Sequence, residues 1–184
     1  MLLIIESGIR GEIATISHRH AKANNEYMGT EYDPVKESKF ISYLDANNLY
    51  GWAMSKQLPT YWFEWMTDDG LNDLKNLSCF LEVDQEYTEY LHNLHNDYPL
   101  APERVEIGDV EKLIPNLNNK TNYVVHYENL KLYESLCLEI TKIHRGIKFE
   151  ESAWLEEYIN LSTKLRIKAK QCRKTTLKSI CSSQ

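Results

Sequence analysis

The chain has 184 residues, of which 42% are hydrophobic and 26% charged, and its formal net charge is -6. This length suits about one domain, and the composition excludes a collagen-like, a coiled-coil and a wholly disordered protein. The apolar runs fall far short of the roughly 20 residues that cross a bilayer, and the first residues lack the basic leader of a signal peptide. We therefore expect an intracellular protein without a membrane partner, in the cytoplasm, nucleus or mitochondrion.

Hydrophobic periodicity predicts a mixed α+β chain. Its first half is expected to contain a weak amphipathic helix over residues 13–28, a buried strand over 39–45 and a short helix or turn over 47–54. An aromatic cluster follows and is expected to pack in the core: Tyr61, Trp62, Phe63 and Trp65. The later predicted elements are strands at 79–84, 122–126 and 139–149 and helices at 128–137 and 154–170.

Positive charge is concentrated at the C-terminal end. Residues 161–184 hold seven Lys and Arg and no Asp or Glu. Such a block predicts either an arm that meets phosphates or the solvated face of a charged helix. The pattern leaves both interpretations open.

The most informative single residue is Asp45, at the end of the predicted strand 39–45. A carboxylate there can hold a hard divalent cation, while the backbone N–H groups that follow turn toward an anionic ligand. The alternative is structural, because an Asp before a helix is also a common helix N-cap.

Residues 43–59, which read YLDANNLYGWAMSKQLP, resemble motif A of the protein-primed family B DNA polymerases of transposons, linear plasmids and related viruses. The resemblance implies that Asp45 binds the two catalytic Mg²⁺ ions. It also implies that Tyr50 stacks under the incoming sugar and excludes ribose, and that Asn48 and Leu49 line the triphosphate through backbone groups. Most family members have Ser at the position of Asn48 and Pro at the position of Gly51.

Other segments resemble the same family in chain order. Residues 8–13 are similar to the segment before the polymerase domain that touches the template backbone, which implies DNA contacts by Arg10 and Gly11. Residues 154–170 are similar to the entry to the fingers, where basic side chains grip the triphosphate, and this implies nucleotide contacts by Arg166 and Lys170.

The resemblance implies a partial polymerase palm with an inserted subdomain and the start of a fingers helix. The expected segments are a pre-palm linker and helix at 1–36, the motif A palm at 37–60, the inserted subdomain at 61–149, the start of the fingers helix at 150–171 and a disordered basic tail at 172–184. The inserted subdomain meets DNA and the terminal priming protein in this family. The family's motifs B and C are not found, so the chain is expected to be a polymerase fragment.

The implied activity is template-directed transfer of deoxynucleotides, and the implied partners are DNA template and primer, a dNTP and a terminal protein. Two-metal catalysis needs at least two carboxylates, and motif A supplies only Asp45, so we expect no activity from this chain alone. Two other functions stay open. One is a module that binds DNA or a terminal protein, and the other is a small metal-dependent hydrolase that uses Asp45, His92 and His95.

Overall fold

The computed structural model describes residues 1–11, 13–72 and 78–181, and it mixes helices with strands as predicted. The helices are α1 (Leu2–Gly8), α2 (Leu49–Met54), α3 (Asp68–Asn72), α4 (Glu89–His95), α5 (Tyr127–Ser135) and α6 (Glu156–Cys181), and a 3₁₀ helix spans Glu26–Glu31. The strands are β1 (Leu58–Trp65), β2 (Cys79–Glu86), β3 (Glu103–Ile107), β4 (Val110–Ile114), β5 (Lys120–His126) and β6 (Glu139–Ser152). No helix within these residues is both long and apolar enough to span a membrane.

The chain divides into two compact units. We call Met1–Leu44 with Phe63–Lys148 the sheet unit, and Asp45–Trp62 with Phe149–Gln184 the motif A unit. Strands β1 and β6 each contribute residues to both units. The two units are described separately below.

The main sheet has four strands in the order β1-β6-β2-β5. Strand β2 pairs antiparallel with both β5 and β6, so that Leu81 lies opposite Val125 on one side and Gly146 on the other. Strands β3 and β4 form a second, two-stranded sheet, and Gly108 takes a positive φ of 64° in the turn between them. Glycine enters this backbone region without the steric cost of a Cβ atom.

The core of the sheet unit is built on β2. Alternate β2 side chains, Cys79, Leu81 and Val83, are fully buried and pack with residues of β5, α4 and α5. Helix α5 begins after His126, whose Nδ1 accepts a hydrogen bond from the Glu128 amide, and it contributes the fully buried Leu130. Burial of these apolar side chains stabilises the unit by roughly 1.5–3 kcal/mol for each large one.

Several predicted elements are confirmed with small changes in their ends. They are the short helix or turn at 47–54 (α2), the strands at 79–84 (β2), 122–126 (β5) and 139–149 (β6), and the helix at 128–137 (α5). The helix predicted at 154–170 is also present, but α6 continues eleven residues further, to Cys181. The hairpin of β3 and β4 was not predicted, although Gly108-Asp109 between two alternating segments is a typical two-residue hairpin turn.

The predicted buried strand at 39–45 is wrong. The segment has no regular secondary structure, and only Lys39 forms an isolated bridge, with Asn24. Its side chains are exposed, with Tyr43 at 93%. The alternation of apolar residues resembled a strand, but no strand in the described part of the chain pairs with it, and an unpaired strand is not stable in water.

The predicted helix at 13–28 is also wrong. Residues 13–23 are irregular, and the chain then forms the short 3₁₀ helix. The Asn24 side chain bonds the backbone N–H and C=O of Asp33, and the Asn25 side chain accepts a hydrogen bond from the Tyr27 amide. Asparagine side chains that bond the backbone in this way compete with helical hydrogen bonds, which explains the failure of the prediction.

Two predicted apolar faces are exposed instead of buried. The aromatic cluster of 61–65 lies on the edge strand β1, where Trp62 is 67% exposed. On α6, the seven-residue spacing of Tyr158 and Leu165 is typical of a helix face that packs inward, yet both are more than half exposed. Periodicity identifies the apolar face of an element but not whether another element covers it.

Candidate nucleotide site

The motif A residues form a turn that leads into α2. Asn48 adopts the left-handed conformation (φ 58°, ψ 41°) and is the N-cap residue of the helix. Its carbonyl accepts a hydrogen bond from the Trp52 amide at 2.9 Å. Asn is one of the few residues other than Gly that enter this region readily, so the local sequence suits the turn.

Gly51 is the buried residue of α2. A Cβ atom built at Gly51 would lie 2.7 Å from both Cγ and Oδ1 of Asn48 and closer still to its Nδ2. The Asn48 amide therefore occupies the space that any other residue at position 51 would need. The motif A resemblance implies only a backbone role for Asn48 and does not reveal this packing, although the three-residue spacing places both residues on one face.

Asp45 lies just before this turn, and its side chain is exposed. Within the described residues its carboxylate makes no hydrogen bond or ion pair, and the N-cap of α2 is Asn48. The alternative interpretation of Asp45 as the cap of the next helix is therefore wrong. A carboxylate without a protein partner is available to a cation.

The other predicted nucleotide contacts lie in the same unit. Leu49 and Tyr50 open α2 with exposed side chains, and the Tyr50 ring is 88% exposed. Arg166 and Lys170 are exposed residues of α6, and α6 contacts α2. The motif A unit thus brings the acidic residue, the tyrosine and a basic helix into one compact body.

The described residues do not form a complete metal centre. No group of three or more His, Cys, Asp or Glu side chains within them could hold a metal ion. One carboxylate still fits magnesium that arrives with a nucleotide, because Mg²⁺ is commonly held by one or two carboxylates, substrate phosphates and waters.

The predicted DNA contacts lie in the sheet unit. The Arg10 guanidinium stacks 3.8 Å from the centroid of the Tyr123 ring, and its Nη1 donates to the Val124 carbonyl at 2.6 Å. Burial lowers the pKa of Arg10. Gly11 is exposed, with open space around the position of a Cβ atom. The Arg10 side chain is thus used for packing on β5, and a template contact remains a prediction.

The two histidines of the hydrolase alternative, His92 and His95, lie among residues that build the sheet unit. His95 is buried, and its Nδ1 lies 3.0 Å from the Tyr87 hydroxyl, which accepts a hydrogen bond from the Leu100 amide. His95 and His92 belong to the sheet unit, whereas Asp45 belongs to the motif A unit. No group of metal-ligating side chains in the described part of the chain joins them.

Asp84 on β2 is an acid that would be a candidate ligand for a second metal ion, but its carboxylate already has protein partners. Its Oδ1 accepts a hydrogen bond from the Asn122 amide at 2.8 Å, and its Oδ2 lies 2.8 Å from Nε2 of His144. These two contacts lower the pKa of the Asp84 carboxyl. Asp84 therefore ties β2 to β5 and β6.

We expect the Asp84→Asn variant to be less stable than the wild type at neutral pH and this difference to shrink as the pH falls into the acid range. A lowered folded-state pKa means that the carboxylate adds stability above its ordinary pKa of about 3.9 and loses it as the pH falls through the folded value. Asparagine keeps an acceptor for the Asn122 amide. The difference in the free energy of unfolding between wild type and variant therefore reports the contribution of the carboxylate charge. Urea unfolding at a series of pH values measures it.

The matched control is Asp109→Asn, since Asp109 is an exposed acid in the β3–β4 turn. Its stability should follow that of the wild type across the same range. An Asp84→Asn difference that stays constant from neutral pH to pH 3 would contradict the assignment. Added salt should shrink the difference, because the contact lies near the surface.

The comparison with protein families gives one match. The model described as DNA polymerase type B, organellar and viral, matches residues 20–181. The match extends beyond Gln171, the last residue of the expected fingers segment, and α6 likewise continues to Cys181, within the tail that was expected to be disordered. No curated protein and no solved structure matches the chain.

Proposed function

Since the chain belongs to the type B DNA polymerases of organelles and viruses, we propose that its motif A unit binds a deoxynucleoside triphosphate together with Mg²⁺. Membership of this family implies DNA and dNTP binding and a dependence on divalent metal. The specific roles of the residues are the proposal. The observation that carries it is the exposed carboxylate of Asp45, which has no hydrogen-bond or ion-pair partner among the residues that the structure describes and lies directly before the turn into α2.

In this proposal Asp45 supplies the carboxylate that holds Mg²⁺, and the metal neutralises phosphate charge. Tyr50 lies under the sugar, since its exposed ring offers an apolar face to a ligand. Asn48 and Leu49 meet the triphosphate through backbone groups. Arg166 and Lys170 of α6 add positive charge, as expected for side chains that bind phosphate oxygens.

The reaction implied by the family is template-directed transfer of a deoxynucleotide, and we extend the proposal to protein-primed replication. The DNA contact is assigned to Arg10 and Gly11, and the terminal protein is the further partner. Two-metal transfer needs a second carboxylate beside Asp45. We therefore expect this chain by itself to bind nucleotide without extending a primer.

Substitution of Asp45 by Asn should remove the magnesium-dependent part of nucleotide binding. Asparagine preserves size and removes the charge that attracts the cation, so the affinity for Mg²⁺–dATP should fall by about tenfold or more. Isothermal titration with dATP, in the presence of Mg²⁺ and then of EDTA, measures the effect. In EDTA the two proteins should bind alike.

Asp109→Asn is again the matched control, and it should bind Mg²⁺–dATP like the wild type. Equal binding by wild type and Asp45→Asn would contradict the role of Asp45. A primer-extension assay with Mg²⁺ and all four dNTPs tests the second part of the proposal. Incorporation that Asp45→Asn abolishes would show that the chain is active alone.

A further inference from the structure

A pocket with a volume of about 290 Å³ lies in the sheet unit. Its lining comes mainly from α1, β5 and α5, from Ile13 and Thr15, and from the loop between α4 and β3. The volume is close to the lower end of the roughly 300–1,000 Å³ of small-molecule sites, so the pocket suits a ligand of about one or two rings. The proposed nucleotide site belongs to the motif A unit and does not use this pocket.

Most of the residues that line the pocket are apolar or aromatic. Five of the apolar ones are Ile13, Pro99, Leu100, Val125 and Leu132. Leu132 is half exposed, so solvent reaches this lining. An apolar group that moves from water into such a lining gains the hydrophobic free energy of burial. The pocket therefore favours a ligand with an apolar body.

One positive charge belongs to this lining, and no negative charge does. Among the described residues that line the pocket, Arg10 is the only Lys or Arg, and none is an Asp or Glu. The carboxylate of Glu103, outside the lining, is already hydrogen-bonded to Lys120 and Asn116. The Tyr123 phenol stays neutral at physiological pH, because burial raises its pKa. The described lining thus supplies no counter-ion for the guanidinium.

The guanidinium of Arg10 is held in place through one of its nitrogens and one face. It lies 3.8 Å from the centroid of the Tyr123 ring, and Nη1 donates to the carbonyls of Val124 at 2.6 Å and Gly8 at 3.2 Å. In the part of the chain that the structure describes, Nε and Nη2 donate no hydrogen bond. Arginine presents its N–H groups in a rigid fork that matches the two oxygens of a carboxylate. Arg10 therefore retains the donors that a bidentate contact needs.

The charge of the pocket also limits the kind of anion that fits it. One arginine balances one negative charge, whereas the backbone of DNA is bound through several cations. Arg104, the next arginine along the chain that the lining excludes, is paired with Glu111 at 3.2 Å. Burial lowers the pKa of Arg10, as expected for a cation that is partly removed from water and gains from an anionic partner. A carboxylate with a single charge meets these conditions.

We infer that the sheet unit binds a small carboxylic acid with an apolar ring: the ring fills the pocket, and the carboxylate pairs with Nε and Nη2 of Arg10. This inference does not rest on the proposed nucleotide site. It gives Arg10 a use other than the DNA contact assigned to it above. The same chemistry occurs at the C-terminal residue of a peptide, so the experiment includes both sources of the ligand.

Isothermal titration with indole-3-acetate and indole-3-acetamide tests the inference on the unaltered chain. The two probes share the ring and differ in charge, so the acid should bind at least about tenfold more tightly. An N-acetylated tripeptide that ends in tryptophan with a free carboxylate presents the same groups at a chain end. Tighter binding of this peptide than of indole-3-acetate assigns the ligand to a chain end, and weaker binding assigns it to a free acid.

Asn129→Asp tests the charge while leaving Arg10 in place. Asn129 is an exposed residue of the lining on α5, and aspartate adds a negative charge at nearly constant size. This variant should bind the acid about tenfold more weakly and the amide as the wild type does. Arg10→Gln should reduce the affinity for the acid to that for the amide. Arg104→Gln is the matched control and should bind both probes like the wild type, since Arg104 lies outside the lining.

Equal binding of acid and amide by the wild type, or no binding of either at millimolar concentration, would overturn the inference. It would also fall if the chain bound oligo-dT through Arg10 but did not bind indole-3-acetate, because the guanidinium would then serve DNA. Backbone amide resonances of Gly8, Arg10 and Val125 should shift with indole-3-acetate and not with Mg²⁺–dATP. A failure of this inference therefore leaves the proposed nucleotide site untouched.

Discussion

Replacing Glu103 by Gln should lower the free energy of unfolding of the sheet unit by about 3 kcal/mol. The carboxylate of Glu103 on β3 accepts hydrogen bonds from Nζ of Lys120 and from Nδ2 of Asn116, both at 2.9 Å. The Lys120 side chain on β5 is fully buried, and burial lowers the pKa of its ammonium while the bond to Glu103 opposes that change. Removing the carboxylate charge leaves a buried cation with neutral partners only.

Removing the lysine of this pair instead of the carboxylate should lower the free energy of unfolding by less. In Lys120→Met the remaining charge belongs to Glu103, whose side chain is 31% exposed and can be hydrated. A cost of about 2 kcal/mol is expected, since methionine fills the vacated space. The order of the two effects, Glu103→Gln above Lys120→Met, is the specific prediction.

Native-state hydrogen exchange of the β5 amides measures both variants, because it reports the stability of the sheet unit by itself. A loss of about 3 kcal/mol corresponds to a loss of protection of roughly 100-fold. Glu106→Gln is the matched control, as Glu106 lies on the same strand with an exposed side chain. A Glu103→Gln variant with control-like protection would show that the pair contributes no stability.

Leu81→Ala should destabilise the sheet unit by about 3–4 kcal/mol. Leu81 is fully buried in the middle of β2, between β5 and β6, and truncation leaves a cavity in the centre of the core. The exposed Leu94 on α4 provides the control, and Leu94→Ala should cost well under 1 kcal/mol. Urea unfolding followed by circular dichroism measures the two.

Gly146 gives this prediction a second test. A Cβ atom at Gly146 would lie 2.8 Å from Cδ2 of Leu81 and 2.6 Å from Sδ of Met66, so Gly146→Ala alone should destabilise. In the Leu81→Ala background one of these clashes is gone, and the added methyl group enters the cavity. The second substitution should therefore cost less there than in the wild type, and additive effects would contradict the packing.

Most elements of the sheet unit could be predicted from the sequence, because the apolar face of each one is covered by another element in the described part of the chain. Strand β2 alternates buried and less buried residues, and partner strands lie on both sides. The strand predicted at 39–45 shows a similar alternation and does not form. Its pattern specifies which side chains avoid water, but strand formation depends on a neighbour that local sequence does not reveal.

In the candidate site, too, some features could be predicted from the sequence and others could not. The motif A resemblance selected Asp45, Asn48 and Tyr50, and the structure gives these residues a helix start, a left-handed turn and exposed side chains. The contact between Asn48 and Gly51 could not be predicted, since it depends on a side-chain position within the turn. Lys120 likewise has the sequence context of an ordinary surface lysine, and its burial becomes evident only from its partners Glu103 on β3 and Asn116 in the loop between β4 and β5.

Mapping of backbone amide shifts during titration with Mg²⁺–dATP is the most direct measurement of where nucleotide binds. The account predicts shifts at residues 45–52 and along α6 around Arg166 and Lys170, with little change in β2 or β5. Shifts confined to the sheet unit, or none at saturating dATP, would contradict a nucleotide site in the motif A unit.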